Sequence, residues 1–470
     1  MSPSRGAPAA GSGGAMAAPA PPPAQATTPA SPATTPMPPG AGQVVQGQLS
    51  ATGATPGAMS AASKRIAKGM LATTPGKMSW LRALSIAISF VYALAGAGTL
   101  YANSSALTRA STNTSQVVLV QGIYADLLRA DADATNAFLV SGLERPEQRA
   151  DYEAALARVS SNIAAAATAQ PADAEALATL NVAVQGYASA VESARAYNRQ
   201  GMPVGAQYLK QASTSLRATA LPLLDNLRVA NVDRAEAEFS GARSLVPFLV
   251  VGLLTLGVLG AVAVWLAKVT HRYINVGLTA AIAAVLVSFI AGFAMLTSTA
   301  NTVESTRTTQ FAQAVALTNI RSAAFDIRAN ESLGLIARGQ AAPYETQVQK
   351  RITEVTSILK EGRVPNQTAV TKAWDQYLAA HANVRRDDDA FRWDQAVVTA
   401  TAVDGGSYVA FKALDEATAT PLTTAQADLS TRILSPRTPL FIAAIVALLA
   451  GVAASGLAAR GIAQRLEEYR

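Results

Sequence analysis

The sequence predicts an all-α membrane protein, with four transmembrane helices and two tandem extracytoplasmic four-helix bundles on two-helix stalks. Three observations predict it. Four uncharged apolar runs, Ala83–Tyr101, Leu245–Ala267, Gly277–Leu296 and Pro439–Ala459, reach the roughly 20 residues needed to cross a bilayer. Between them apolar residues step by three and four, with no period-two alternation that would indicate strands. The two long stretches between the runs also repeat one another in order and spacing. Composition agrees: half of the 470 residues are hydrophobic and 15% are charged, against about a quarter in soluble domains.

In chain order, residues 1–78 are Pro-, Ala-, Gly-, Ser- and Thr-rich and predict a disordered tail. Their only charges are Arg5, Lys64, Arg65, Lys68 and Lys77, a basic flank suited to a membrane surface rather than nucleic acid. Four Thr-Pro steps there, at Thr28, Thr35, Thr55 and Thr74, are candidate phosphorylation sites. A phosphate would add up to about two negative charges beside that flank. Repetition by composition alone is an equally good reading.

The first span covers 79–101; the long tail ahead of it argues against a signal peptide. Residues 102–244 form the first bundle, 245–267 the second span, 268–276 a connector and 277–297 the third span. Residues 298–437 form the second bundle, 438–459 the fourth span and 460–470 a short tail. Lys268, His271 and Arg272 place the connector in the cytosol by the positive-inside rule. Lys77, Arg82, Arg460, Arg465 and Arg470 place both termini there, which makes a multi-pass protein of the plasma (inner) membrane.

The repeat aligns Asn103 with Asn301, Arg109 with Arg307, Tyr152 with Tyr344, Tyr187 with Tyr377, and Pro222 with Pro421. Pro146, Pro171 and the Gly201–Gly205 turn cut the first bundle into four helices. The first of these carries an apolar seam at Val120, Ile123, Leu127, Ala130, Ala134 and Phe138. Leu317, Ile320, Ala324, Ile327, Glu331 and Leu335 are its counterparts. The first and fourth helices are expected to run unbroken into the spans, bent at Pro222 and Pro421. Along the fourth span Ala443, Ala447, Gly451 and Ser455 form a small-residue stripe for close helix packing.

No catalytic site is legible. Cysteine is absent, which excludes disulfides and thiolate metal sites, and the two histidines, His271 and His381, fall on opposite sides of the membrane. The four apolar runs carry no ionisable group of the kind that transporters bury. Asp387, Asp388 and Asp389 read as a solvated face or turn. No cofactor, metal or nucleic-acid partner is expected.

The bundles resemble the sensor halves of chemoreceptors and sensor kinases, without the large cytosolic signalling domain that follows in those proteins. The tandem arrangement and the Ala/Pro-rich tail resemble the GlnX-like transmembrane sensors of actinobacteria. That resemblance implies a non-enzymatic signal relay. An extracytoplasmic amino-acid-binding lipoprotein would supply the input and a cytosolic Ser/Thr kinase would receive the output. The membrane scaffold or transport accessory, assembling partners without switching, is the second reading. Arg321 and Arg328 are candidate carboxylate grips, although Tyr124 and Asp131 stand at the matching positions of the first bundle. Arg129 and Asp326, equivalent but opposite in sign, are candidates for docking one bundle on the other. Lys268, His271, Arg272 and Arg465 are candidate cytosolic contacts.

Overall fold

Proline and glycine divide the chain into thirteen α-helices among the residues described, which are 74–140, 144–241, 244–271 and 274–467 of a computed structural model. No strand occurs among them. Helix α1, Thr74–Ala137, runs 64 residues without interruption, about 96 Å at 1.5 Å per residue. Helix α2, Pro146–Ala169, opens on a proline at its first position, where a missing N–H costs nothing. A 3₁₀ turn, Pro171–Asp173, leads into α3, Ala174–Arg199. Gly201, at φ +68°, then reverses the chain into α4, Val204–Ser215. A π-helical turn, Leu216–Ala220, connects α4 to α5, Leu221–Gly241. Pro222 has no N–H for the carbonyl four residues back, and the π-turn lies on the stretch left unbonded.

Helix α6, Val246–Thr270, leads through the connector to α7, Val276–Thr306, whose first turn is capped by the Asn275 side chain accepting from Leu278 N–H at 3.1 Å. A second π-turn, Arg307–Phe311, joins α7 to α8, Ala312–Ile336. There follow α9, Ala342–Lys360, α10, Gln367–Asp389, α11, Trp393–Thr401, α12, Gly406–Leu434, and α13, Arg437–Glu467.

Two expectations about helix continuity divide here. The rising helices, α1 and α7–α8, pass without a break from the apolar segment into the bundle. The returning helices do not. In the first, Ser244 and Leu245 are non-helical and α6 begins at Val246 beside Pro247, and the second turns at Ser435–Pro436 before α13. Proline near each restart cannot donate to the preceding turn, which ends the helix where the sequence pattern ran on. Pro421, by contrast, lies inside α12 with the helix unbroken around it.

The bundle core is shared. Val120, Ile123 and Leu127 of α1 and Leu317, Ile320 and Ile327 of α8 are fully buried in one cluster that draws on both halves. Burial of each such side chain contributes roughly 1.5–3 kcal/mol. A second cluster runs through the apolar segments, where Phe248 stacks on Phe289 at 5.5 Å and Tyr92 shares a 2.6 Å hydrogen bond with Ser288. Four helical stretches are long and apolar enough to cross a membrane, and they turn Val250, Leu254, Ile290 and Ile442 outward.

Close approaches lock these segments together. A Cβ on Gly451 of α13 would stand 2.6 Å from Ala93 Cβ of α1. At the far end, a Cβ on Gly277 would meet the Leu457 carbonyl oxygen at 2.6 Å, and Asn275 donates to the Gly461 carbonyl at 2.7 Å.

Candidate functional site: the charged junction between the halves

Helix α1 of the first half packs on α8 of the second, and ionised side chains crowd their flanks. Asp326, on α8, accepts Arg217 Nη2 at 2.7 Å and Arg351 Nε at 2.8 Å. Arg217, from the π-turn of the first half, continues to Asp131 at 2.6 Å, and Ser213 donates to the same carboxylate at 2.8 Å. Arg351, on α9, also donates to Glu354 at 2.8 Å and to the Tyr124 hydroxyl at 3.2 Å. The result is a line of alternating charge, Asp131–Arg217–Asp326–Arg351–Glu354, which crosses from one half to the other.

A second crossing mirrors it. Arg129, on α1, lies 3.7 Å from Asp415 of α12, and Arg321 of α8 closes on the same carboxylate at 2.5 Å. In each crossing a residue of a half's first helix meets a residue of the other half's fourth, with the signs exchanged. The sequence had paired Arg129 with Asp326 as opposites. Each instead finds its partner on the other half's returning helix.

Electrostatics follow from burial. Burial alone would raise the Asp326 carboxyl, but Arg217 and Arg351 outweigh it and hold the group below the usual carboxylate range. The same carboxylates hold both guanidiniums firmly charged. Asp133 is the contrary case. Burial pushes it up to about 7, against the opposing charges of Arg129 and Arg328.

Arg328, a candidate carboxylate grip in the sequence, lies beneath the surface. It is buried between the rings of Tyr408 and Phe411, at 4.9 and 5.0 Å, with its Nη1 unpartnered. Glu331, read as a seam position, is also buried and accepts His381 Nδ1 at 2.7 Å and Ser407 Oγ at 3.0 Å. Glu345 stands 3.4 Å from the other ring nitrogen. Burial opposes the imidazolium, yet these two carboxylates raise His381 to about 9. Of the Asp387–Asp389 run, read as a solvated face or turn, only Asp389 is well exposed, at 67%. Asp387 is buried and pairs with Arg392 at 2.5 Å, while Arg385 bonds both Asp388 and Asp389.

The other sequence-picked residues lie apart from the junction. Ala447 and Gly451 are buried, Gly451 against Ala93 of α1, Ala443 packs against the same cluster, and Ser455 Oγ donates to the Gly451 carbonyl at 2.9 Å. Thr74 is exposed at the start of α1, whereas Thr28, Thr35, Thr55 and Arg272 lie outside the described residues. Lys268 and His271 are exposed, and Arg465 donates to the Ile274 carbonyl at 3.5 Å. Sequence reasoning missed Arg217, Asp415 and Arg351. Reading the fourth helices for charges complementary to Arg129 and Asp326 would have found the first two. No group of three or more His, Asp or Glu side chains among the described residues is placed to hold a metal.

Fold and site together define a helical bundle of two interlocked halves carried on four apolar, membrane-length helices. A family model described as an actinobacterial sensor domain matches residues 106–240, which is most of the first half of that bundle. No curated protein and no solved structure matches the chain.

Proposed function

We propose that this chain is a non-enzymatic transmembrane signal relay, with its bundle outside the plasma membrane and both termini and the 268–276 connector in the cytosol. One observation carries the reading. The residues matched to a sensor domain begin on α1, the helix that continues unbroken down through the apolar segment. A change in the bundle can therefore be passed along α1 as a small shift relative to its neighbours. Output goes to a separate protein through the cytosolic surface, where the connector and the end of α13 are joined by the Asn275–Gly461 hydrogen bond. In the GlnX-like scheme the input is delivered by an amino-acid-binding lipoprotein and the output taken by a Ser/Thr kinase. Tandem duplication of a span–bundle–span unit explains the sign-exchanged pairs Arg129–Asp415 and Asp326–Arg217.

The chain has no native cysteine, which makes the test direct. Tyr101 on α1 and Phe441 on α13 face each other with ring centroids 6.5 Å apart, at the outer ends of the first and fourth apolar segments. With Tyr101→Cys and Phe441→Cys introduced together, a relay predicts that cross-linking in membranes changes when extracytoplasmic extract or amino acids are added. An unchanged pattern across all inputs favours a static scaffold and defeats the relay.

A further inference from the structure

Beside the charge line lies a cleft of about 320 Å³ whose walls come from both halves: α1 and α5 on one side, α8 and α9 on the other. From its position and unspent hydrogen-bonding capacity we infer that this cleft is a binding site for a small carboxylate, which bridges the two halves when bound. The inference takes the sensing role proposed above as its setting and assigns it a chemical class of ligand.

Three donors facing the cleft have no acceptor in the protein. Gln121 is buried, and its amide Nε2 has no hydrogen-bond partner. A buried donor left in that state costs about 1–3 kcal/mol, which an arriving acceptor recovers. Tyr124 accepts from Arg351, and because a guanidinium only donates, the phenolic hydrogen is left to point elsewhere. Lys350, exposed on the opposite wall, makes no ion pair among the described residues.

The acidic side chains of the cleft do not cancel this bias. Glu354 is taken by Arg351 at 2.8 Å, and Asp225 stands 3.4 Å from Arg228. Two neutral donors from the first half and one lysine from the second therefore line a space the size of a small organic acid. A carboxylate has two oxygens and about four lone-pair sites, which suits that set. An occupant held by Gln121 and Tyr124 on one side and by Lys350 on the other would tie α1 to α9. It would do so next to Arg351, the inner link of the charge line.

The test uses the full chain in lipid nanodiscs, titrated calorimetrically with acetate, succinate and glutamate, and with sulfate as a plain anion. At least one carboxylate is expected to bind well below about 10 mM, more tightly than sulfate. Tyr124→Phe and Lys350→Gln should each weaken it by about tenfold, the loss of one good hydrogen bond to a charged group. Thermal unfolding of each variant, unchanged from wild type, shows that the loss is local. Gln121→Leu, which satisfies the buried site without a donor, should also weaken binding while leaving the melt intact or raising it. Binding of no carboxylate at about 10 mM, equal affinity for sulfate, or indifference to all three substitutions overturns the inference. Calorimetry reads binding alone, so its outcome is independent of whether Tyr101→Cys and Phe441→Cys report a relay.

Discussion

Replacing Asp326 with asparagine preserves the shape of the side chain and removes the charge that joins Arg217 to Arg351. The carboxylate accepts charge-assisted bonds from both, at 2.7 and 2.8 Å, and each such bond contributes about 1.5–3 kcal/mol. A pair broken in a dry interior loses about 3–5 kcal/mol. Here the arginine side chains are 24% and 23% exposed and retain Asp131 and Glu354 as partners, so the expected loss is about 2–3 kcal/mol. A double-mutant cycle with Arg217→Gln isolates the contact between halves, and its coupling energy should be about 1–2 kcal/mol. Urea unfolding in detergent, followed by far-UV circular dichroism, measures all four corners of the cycle. If the two substitutions add to within about 0.3 kcal/mol, the halves are not joined through this carboxylate and the junction is misread.

The histidine cluster predicts a pH dependence. His381 titrates near 6.5 when unfolded and at about 9 when folded, so its contribution is complete below pH 6.5 and is lost as pH rises through 9. Melting midpoints of wild type should fall across that window, and His381→Gln should flatten the decline. Asp133, raised to about 7, works in the opposite sense to an ordinary carboxylate: its folded form keeps a proton that the unfolded chain releases above pH 3.8. Asp133→Asn should therefore stabilise the chain more at pH 8 than at pH 5, and equal midpoints at both would refute the burial argument. In the apolar segments, Gly451→Ala should cost about 1–3 kcal/mol, because the new methyl meets both Cβ and Cα of Ala93. Ala93→Gly in the same chain should recover part of that loss of thermal midpoint.

Much of the architecture was legible because it depends on local chemistry. Apolar runs of membrane length need no neighbour to be recognised, and Pro146, Pro171 and Gly201 mark helix boundaries by properties of their own backbones. The seam on α1 was equally readable, since Val120 to Ala134 share a face at helical spacing and are all buried. Partnerships were not. A helical pattern says that a face is buried but not which helix covers it, and Arg217 stands 109 residues from Asp326 in the chain. The merging of two bundles into one core was lost for the same reason. Helix α11 was missed because the acidic run before it suggested a turn. What holds it is remote, with the Trp393 indole donating to the Leu335 carbonyl at 2.7 Å. Buried ions such as Arg328 and Glu331 defeat any rule that assigns charge to the surface.

The uninterrupted course of α1 also limits how such a molecule can change length. At 3.6 residues per turn, inserting a single residue between Tyr101 and Val120 would swing everything above it by about 100°. Tyr124, Arg129 and Asp131 would then face away from their partners. An insertion of seven residues turns the upper part by only about 20° from its starting azimuth while raising it by about 10 Å. Lengthening therefore keeps the interlock only in near-whole turns, and only when α7–α8 lengthens in step.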